Sequence, residues 1–537
     1  MMQMITDAAK SLQAPAPLLA IFLGTLGGII IGAIPGLTAT MAVALLIPVT
    51  FGMNPVVGLA LMGGVYSGGM FGGAISSILL STPGTPAAAA TAFDGYPMTR
   101  KGKGGVAITV ATVASFWGGI ISTIALLLVA PILAKFSLRF GPPENFLLAI
   151  MGLASIVTLT SGNLIKGLIS GVIGLLLASV GMDPIDAYPR FAGDFPELYE
   201  GIKDIPALIG LFSISQLLDL TGEASIIQEL AADVSTLKDN KLPKGLAPTI
   251  ARGSLIGTIV GMLPGAGATI SAFISYNTAK SLDKEPETFG KGNPKGVAAS
   301  ESANNGCVGG SLIPMLTLGI PGNSVAACLM GGLTINNLIP GPELFSKYGT
   351  ITYGFILSLF IANIVFLFLG IYLAPFFAKV STAPNSLLIP GIAVLSVVGS
   401  FAMRNMMFDV WTMLAFGFGG YFLHRCGFDL GAVVLGLILG HITEEGFGGA
   451  LAISNGSPAI FFTRPLCIGL WVCIFLLLLP AIRSRKKAKH TVDYSSACIQ
   501  KPLPAFSSGR GFSLEIHIKI EVCYNLRNVV FSVGKFF

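Results

Sequence analysis

Charge is what this chain lacks. No Asp, Glu, Lys or Arg occurs between residues 11 and 93, nor in 104–134, 302–342 or 348–378. Only 11% of the 537 residues are charged, against 53% hydrophobic. A water-soluble fold cannot cover so much apolar surface, so the lipid bilayer must be the solvent. Other absences narrow the chemistry. There is no GxxxxGKS/T loop, so the chain carries no P-loop ATPase of its own. HExxH and GxSxG are also missing, and with them the usual protease and hydrolase readings. Cys307, Cys328, Cys426, Cys467, Cys473, Cys498 and Cys523 form no CxxC pair and no Cys/His cluster, so they read as small apolar residues rather than disulfides or metal ligands. His441 with Glu444 and Glu445 is half a metal motif without its second histidine, and no metal site is expected there. The N-terminus has no charged n-region followed by a cleavage site, so no removed signal peptide is expected.

The net charge of +6 is not spread over the chain. Residues 1–482 hold 22 Lys/Arg and 23 Asp/Glu, and the excess begins at Arg483, just past the last apolar run. Basic residues flanking a span mark its cytoplasmic end. A C-terminus on the cytoplasmic side follows, and a nucleic-acid partner does not.

What is present is a duplication. Gly24, Gly28 and Gly32 lead into Pro35-Gly36, then Thr38 and Ala39-Thr40; Gly253, Gly257 and Gly261 lead into Pro264-Gly265, then Ala268-Thr269. Further on, GGAISSILLSTPGTP (72–86) is echoed by GSLIPMLTLGIPGNS (310–324), each with a second break, Pro83-Gly84 and Pro321-Gly322. The first repeat occupies 15–135 and the second 245–380. Between them, 136–244 holds apolar segments near 144–161, 163–182 and 205–220, a polar connection at 183–204 and a charged connector at 223–244. Residues 381–489 add spans near 385–403, 408–423, 428–441 and 465–482 and a basic end. The tail, 490–537, has no spanning segment and is assigned no function. An all-α polytopic membrane protein with roughly ten to twelve spans is expected from about 20 apolar residues per span.

Lysine placement suggests that the two repeats are inverted. The loop at 50–56 has no charge, whereas its counterpart at 280–295 has four lysines; the loop at 94–104 has Arg100, Lys101 and Lys103, whereas 340–349 has only Lys347. Because Lys and Arg favour the cytoplasmic side, equivalent loops fall on opposite faces. Asp94 and Arg100 are expected in a solvated loop.

The Pro-Gly pairs interrupt apolar helices: proline removes a donor and glycine allows a sharp redirection. Such breaks survive at membrane depth only where protein or water satisfies the backbone. Each break can restart a helix, with Thr38, Thr85 before Pro86, and Asn323-Ser324 as caps. Free N–H groups at helix N-termini suit a carboxylate. The candidate solute site is therefore Pro35, Gly36, Thr38, Thr40, Pro83, Gly84, Thr85, Pro264, Gly265, Thr269, Pro321, Gly322, Asn323 and Ser324. Asn304 and Asn305, after Glu301, are candidates for solute, a coupling cation or interhelical hydrogen bonds. The glycine ladders read as close helix packing.

Several of these segments together resemble one family. PGLTATMAVALLIP (35–48), GGAISSILLSTPGTPAAAATAFDGYPM (72–98), MDPIDAYPRF (182–191), IGLFSISQLL (209–218), ESANNGCVGGSLIPMLTLGIPG (301–322) and FFTRP (461–465) resemble the large membrane subunit of the bacterial tripartite tricarboxylate transporters. The resemblance runs from about residue 15 to 487. It implies an importer in the inner membrane, driven by a Na⁺ or H⁺ gradient, without a cofactor. It also implies a small four-helix membrane subunit, a periplasmic solute-binding protein, and a carboxylate solute such as citrate. The chain departs from the family pattern at Ser81, commonly asparagine, at Ser300 and His441, both commonly proline, and at 446–449. The rival class is a membrane-embedded enzyme acting on a lipid-linked substrate, which would need a nucleophile, an acid/base pair or a metal set within the spans; a duplicated channel is a third reading.

Overall fold

Apolar runs bounded by proline, glycine and asparagine become helices in the computed structural model, which describes residues 1–159, 164–183, 187–222, 241–265 and 267–491. The expected tail beyond 491, the connector at 223–240, Cys498 and Cys523 lie outside the described residues, as do 160–163 and 184–186 of the expected central segments. The span expected as the first repeat holds α2 (Pro15–Ala33), α3 (Ala39–Leu46), α4 (Pro55–Leu80), α5 (Ala89–Arg100) and α6 (Gly104–Ser137), preceded by α1 (Met2–Leu12). The central part holds α7 (Pro142–Leu159), α8 (Leu164–Ala178), a two-stranded antiparallel hairpin (β1, Gly181–Met182; β2, Pro189–Arg190), α9 (Asp204–Ile209) and α10 (Ser215–Gly222), with a π-helical turn at Gly210–Ile214 between the last two. The span expected as the second repeat, 245–380, holds α11 (Ala247–Met262), α12 (Gly267–Leu282), α13 (Pro294–Leu318), α14 (Ser324–Ile335), α15 (Pro342–Ser346), α16 (Gly349–Tyr372) and α17 (Ala374–Val380). The chain continues with α18 (Asn385–Arg404), α19 (Met407–Arg425), α20 (Leu430–Ile453), α21 (Ile460–Thr463) and α22 (Pro465–Thr491). Among the described residues seven helices are long and apolar enough to cross a membrane, and four shorter apolar ones accompany them.

The glycine ladders explain the tightest packing. A Cβ at Gly24, Gly28 or Gly32 would lie 2.2, 2.5 or 2.4 Å from the carbonyl oxygens of Leu61, Val65 and Gly69 in turn. The numbers rise together, so α2 and α4 run parallel at backbone contact. For that to happen α3 must return the chain to the end where α2 began. The second repeat does the same. Gly257 meets Ala303 and Gly261 meets Cys307, so α11 runs parallel to α13, while Ser275 Oγ donates to the Ala299 carbonyl at 2.7 Å and Ser271 Oγ to that of Ala303 at 3.3 Å, so α12 runs back. Pro35-Gly36 and Pro264-Gly265 are the tips of two helical hairpins.

Between repeats the direction changes. Tyr66 Oη lies 2.8 Å from Ser311 Oγ, and Asn304 Nδ2 donates to the Met70 carbonyl at 3.1 Å. One number rises as the other falls, so α4 and α13, which hold corresponding places, run antiparallel. The long closing helices are exchanged: α6 lies along α13, with Gly118 against Ser302 and Ser137 Oγ on the Thr317 carbonyl, and α16 lies along α4, with Gly354 against Val56 and Phe366 stacked on Phe71.

Asp94 is not in a solvated loop. It sits on α5 with no exposed surface. Its Oδ1 accepts the backbone N–H groups of Gly290, Gly292 and Asn293 at 2.8–2.9 Å, and its Oδ2 accepts the Tyr276 hydroxyl at 2.9 Å. A buried carboxylate is tolerated when this many donors surround it. Beside it Lys101 Nζ donates to the Lys291 carbonyl at 2.6 Å, so the loops at 101–103 and 283–293 share one end of the molecule. FFTRP also has a structural use: Arg464 Nε pairs with the fully buried Glu144 Oε1 at 2.7 Å, tying the start of α22 to α7.

Candidate functional site

The two second breaks do not simply kink their helices. After α4 the chain turns at Ser81, which is left-handed at φ 58°, and folds back until Gly84 and Thr85 lie against Gly73. After α13 it turns at Gly319, φ 70°, and folds back until Gly322 lies against Ser311. Glycine and asparagine suit such a left-handed helix end. The asparagine common at position 81 therefore reads as a helix cap, and the exposed Ser81 takes that place here without touching the site.

Glycine serves the four breaks in two ways. Gly36 and Gly265, at φ 84° and 76°, supply the positive φ that a turn requires. Gly84 and Gly322 do not; their redirection uses ordinary backbone, which corrects the expectation that all four glycines act through conformational freedom. What they permit is contact. A Cβ on Gly84 would lie 2.0 Å from the Gly32 carbonyl oxygen, and one on Gly322 would lie 2.6 Å from that of Gly261. The last rung of each ladder is thus the seat of the second break, and Gly265 N donates to the Gly322 carbonyl at 3.0 Å.

The tips enclose a cavity of about 710 Å³. Thr38 and Thr40 line it from the first tip, Thr85 and Pro86 from the second, Gly267 to Thr269 from the third, and Asn323 and Ser324 from the fourth. All six side chains expected to hydrogen-bond a solute are therefore together. Pro35, Gly36, Pro83, Gly84, Pro264, Gly265, Pro321 and Gly322 are not in the lining; they lie behind it and shape it. Neither Asn304 nor Asn305 reaches it.

The caps differ in what they leave free. Thr38 Oγ1 accepts from Met41 N at 3.2 Å, which leaves its hydroxyl hydrogen available. Asn323 Oδ1 accepts from Ala326 N at 2.8 Å, and its Nδ2 donates to Tyr66 Oη at 2.8 Å and faces Cys307 Sγ at 3.9 Å. That amide is committed to the protein. Thr85 makes no cap bond, contrary to expectation; its Oγ1 is buried with no hydrogen-bond partner. The first turns of α3, α12 and α14 present N–H groups that have no intrahelical acceptor. The cavity therefore offers backbone donors, partial positive charge and threonine hydroxyls.

Sequence reasoning missed the far wall. Leu211, Ser215, Gln216 and Asp219 come from the π-helical turn and α10, while His424 and Gly427 to Gly431 come from the junction of α19 and α20. Gln216 Nε2 donates to the Gly36 carbonyl, so this wall holds the first tip. Asp219 is paired with His424 at 3.0 Å and Arg425 at 3.0 Å, and Asp429 caps α20 through Gly431 N at 2.8 Å. Both acids are thereby engaged. The only advance signal was IGLFSISQLL, whose small and polar residues interrupt an apolar run. Among the described residues no group of three His, Cys, Asp or Glu could hold a metal ion.

Residues 18–435 match the family described as "Tripartite tricarboxylate transporter TctA family". A protein of Agrobacterium vitis named "Uncharacterized 52.8 kDa protein in TAR-I ttuC' 3'region" is 35% identical over 495 residues, covering 90% of this chain and 98% of that protein. A second from the same organism, "Uncharacterized protein in TAR-II ttuC' 3'region", is 37% identical over 234 residues, 43% of this chain and 97% of its own length.

Proposed function

The chain belongs to the tripartite tricarboxylate transporter TctA family, a family of transporters and not of enzymes, and we propose that it is the subunit through which a carboxylate solute is imported. The observation that carries this reading is the cavity on which four chain breaks converge, two from each repeat. In this proposal Thr38, Thr40, Thr85 and Thr269 donate hydroxyls to the solute. The N–H groups that open α3, α12 and α14 neutralise its carboxylates without a buried lysine or arginine. Ser324 contributes its hydroxyl and the committed Asn323 shapes the wall. Pro35-Gly36, Pro83-Gly84, Pro264-Gly265 and Pro321-Gly322 aim the helix ends.

The antiparallel course of α4 against α13 supports a pair of inverted repeats about a site near the bilayer midplane, the arrangement from which alternating access is built. The lysine-bearing loops at 101–103 and 283–293 share one end, which supports a cytoplasmic assignment for that end. The protein works in a bacterial inner membrane with its C-terminus in the cytoplasm. A small four-helix membrane subunit and a periplasmic solute-binding protein complete the system. Energy comes from a Na⁺ or H⁺ gradient, since no nucleotide-binding loop is present.

Uptake of radiolabelled citrate into proteoliposomes holding the complete system tests this. Uptake is expected to persist without ATP while an ion gradient is imposed, and to collapse with the gradient. Uptake that followed ATP and ignored both gradients would overturn the proposal.

A further inference from the structure

Four tips meet at the cavity, but they are not held alike. Asn323, which opens the fourth, uses both ends of its amide. Its Oδ1 accepts from Ala326 N at 2.8 Å and caps α14, while its Nδ2 donates to Tyr66 Oη at 2.8 Å. Tyr66 stands on α4, far from Asn323 along the chain, and has no exposed surface. Its oxygen also lies 2.8 Å from Ser311 Oγ, which donates its one hydrogen to the Val308 carbonyl at 3.0 Å. The directions follow: Asn323 donates to Tyr66, Tyr66 donates to Ser311, and Ser311 donates to its own helix. The other acceptor facing the Asn323 nitrogen, Cys307 Sγ, is distant at 3.9 Å. A buried chain of bonds with every link made orders the groups it joins.

The duplicate of this tie is missing. In the alignment of 72–86 with 310–324, Thr85 falls on Asn323. Carried back along α4 and α13 without a gap, the same alignment places Asn304 on Tyr66. The corresponding bond would join Thr85 to Asn304, and it is not made. Thr85 Oγ1 and Asn304 Oδ1 are both buried without a hydrogen-bond partner, and the Asn304 nitrogen is turned to the Met70 carbonyl at 3.1 Å. The difference has a simple cause: a threonine hydroxyl reaches one bond less far than an asparagine amide. Thr85 does not cap its helix either.

We propose that Tyr66 is a positioning residue of the solute site: its hydroxyl fixes Asn323 and so aims the first turn of α14 at the cavity, while the second tip, lacking the equivalent bond, is held more loosely. This rests on the transport reading for the identity of the solute but not for the tie. Tyr66 is not in the cavity lining, whereas Asn323 is, so Tyr66 acts through Asn323.

Hydrogen–deuterium exchange of the purified full-length chain in detergent, without solute, tests the tie. In wild type the amides of 325–328 are expected to exchange about ten-fold more slowly than those of 87–90, after correction for intrinsic rates. Tyr66→Phe is expected to speed 325–328 about ten-fold, the scale of one buried hydrogen bond left unmade, and to leave 87–90 unchanged. In the reconstituted system the same variant is expected to raise KM for citrate about ten-fold and to change the maximal rate by less than about two-fold, a split that loss of folded protein does not produce. Should Tyr66→Phe fail to fold, Asn323→Ser replaces it with the same expectations, because serine still caps α14 but is too short to reach Tyr66. Equal protection of the two tips in wild type overturns the proposal. So does unchanged exchange at 325–328, or unchanged KM, in the variant that folds. The expected exchange pattern in a chain that takes up no citrate would leave the tie standing and remove the solute reading instead.

Discussion

Single glycines decide how this molecule closes. Gly84 and Gly322 hold equivalent places, and each touches the last glycine of its own ladder, Gly32 and Gly261. A methyl group at either position meets backbone rather than a side chain that could swing aside. Gly84→Ala and Gly322→Ala are therefore expected to destabilise the protein by about 1–3 kcal/mol each, the cost of overpacking. They should also abolish uptake, because the helix end they seat would be pushed from the cavity wall. Thermal unfolding in detergent and uptake by the reconstituted system check both halves. Full uptake with unchanged stability in either variant would show that the second break does not need this contact. The Pro-Gly motif itself was plain in the sequence, but whether its glycine serves conformation or contact was not. That difference depends on a carbonyl oxygen 52 residues away in the first repeat and 61 away in the second.

At the scale of elements, the repeats are joined by polar contacts that apolar patterning hides. Asp94 fastens α5 to the turn before α13 by accepting three consecutive-region N–H groups, and this turn has left-handed glycines at 290 and 292. Removing the acceptor leaves these donors without a partner in a half-buried turn. Asp94→Ala is expected to cost roughly 3 kcal/mol, whereas Asp94→Asn, which keeps one acceptor oxygen, should cost about 1 kcal/mol. Chemical unfolding in mixed micelles measures the two losses, and equal values would mean that the bonds carry no stability. Position 94 read as solvated because an aspartate beside glycine, tyrosine and proline has the local composition of a surface turn. Its acceptors' partners lie almost two hundred residues on, where no local pattern reports them. The π-helical wall escaped notice for a related reason: one extra residue in a helical turn leaves composition unchanged.

For the whole molecule, the proposed transport mechanism rests on the repeats being inverted. With α4 and α13 antiparallel, corresponding loops are expected at opposite ends. On a cysteine-free background, Lys103→Cys and Glu287→Cys are expected to react with a membrane-impermeant maleimide only from the cytoplasmic side. Met53→Cys and Ser346→Cys should react only from the periplasmic side. Labelling of Met53→Cys and Glu287→Cys from the same side would make the repeats parallel and end the inverted reading. All four positions are exposed in the structure.

The sequence by itself determined that the chain lies in a membrane, that it is helical and duplicated, and where its helices break. Hydrophobicity, proline geometry and internal repetition are properties of neighbouring residues, so they can be read along the chain. It also carried Thr38, Thr40, Thr85, Thr269, Asn323 and Ser324 as one set, because repetition marks equivalent positions even before their meeting place is known. Only the tertiary structure decided that these residues share a cavity while Asn304 stands behind it, that Asn323 is already spent on its own helix and Tyr66, and that Glu301 has no oppositely charged partner among the described residues. Those facts depend on distances between segments folded back on one another, and on which hydrogen bonds are left unmade when they meet.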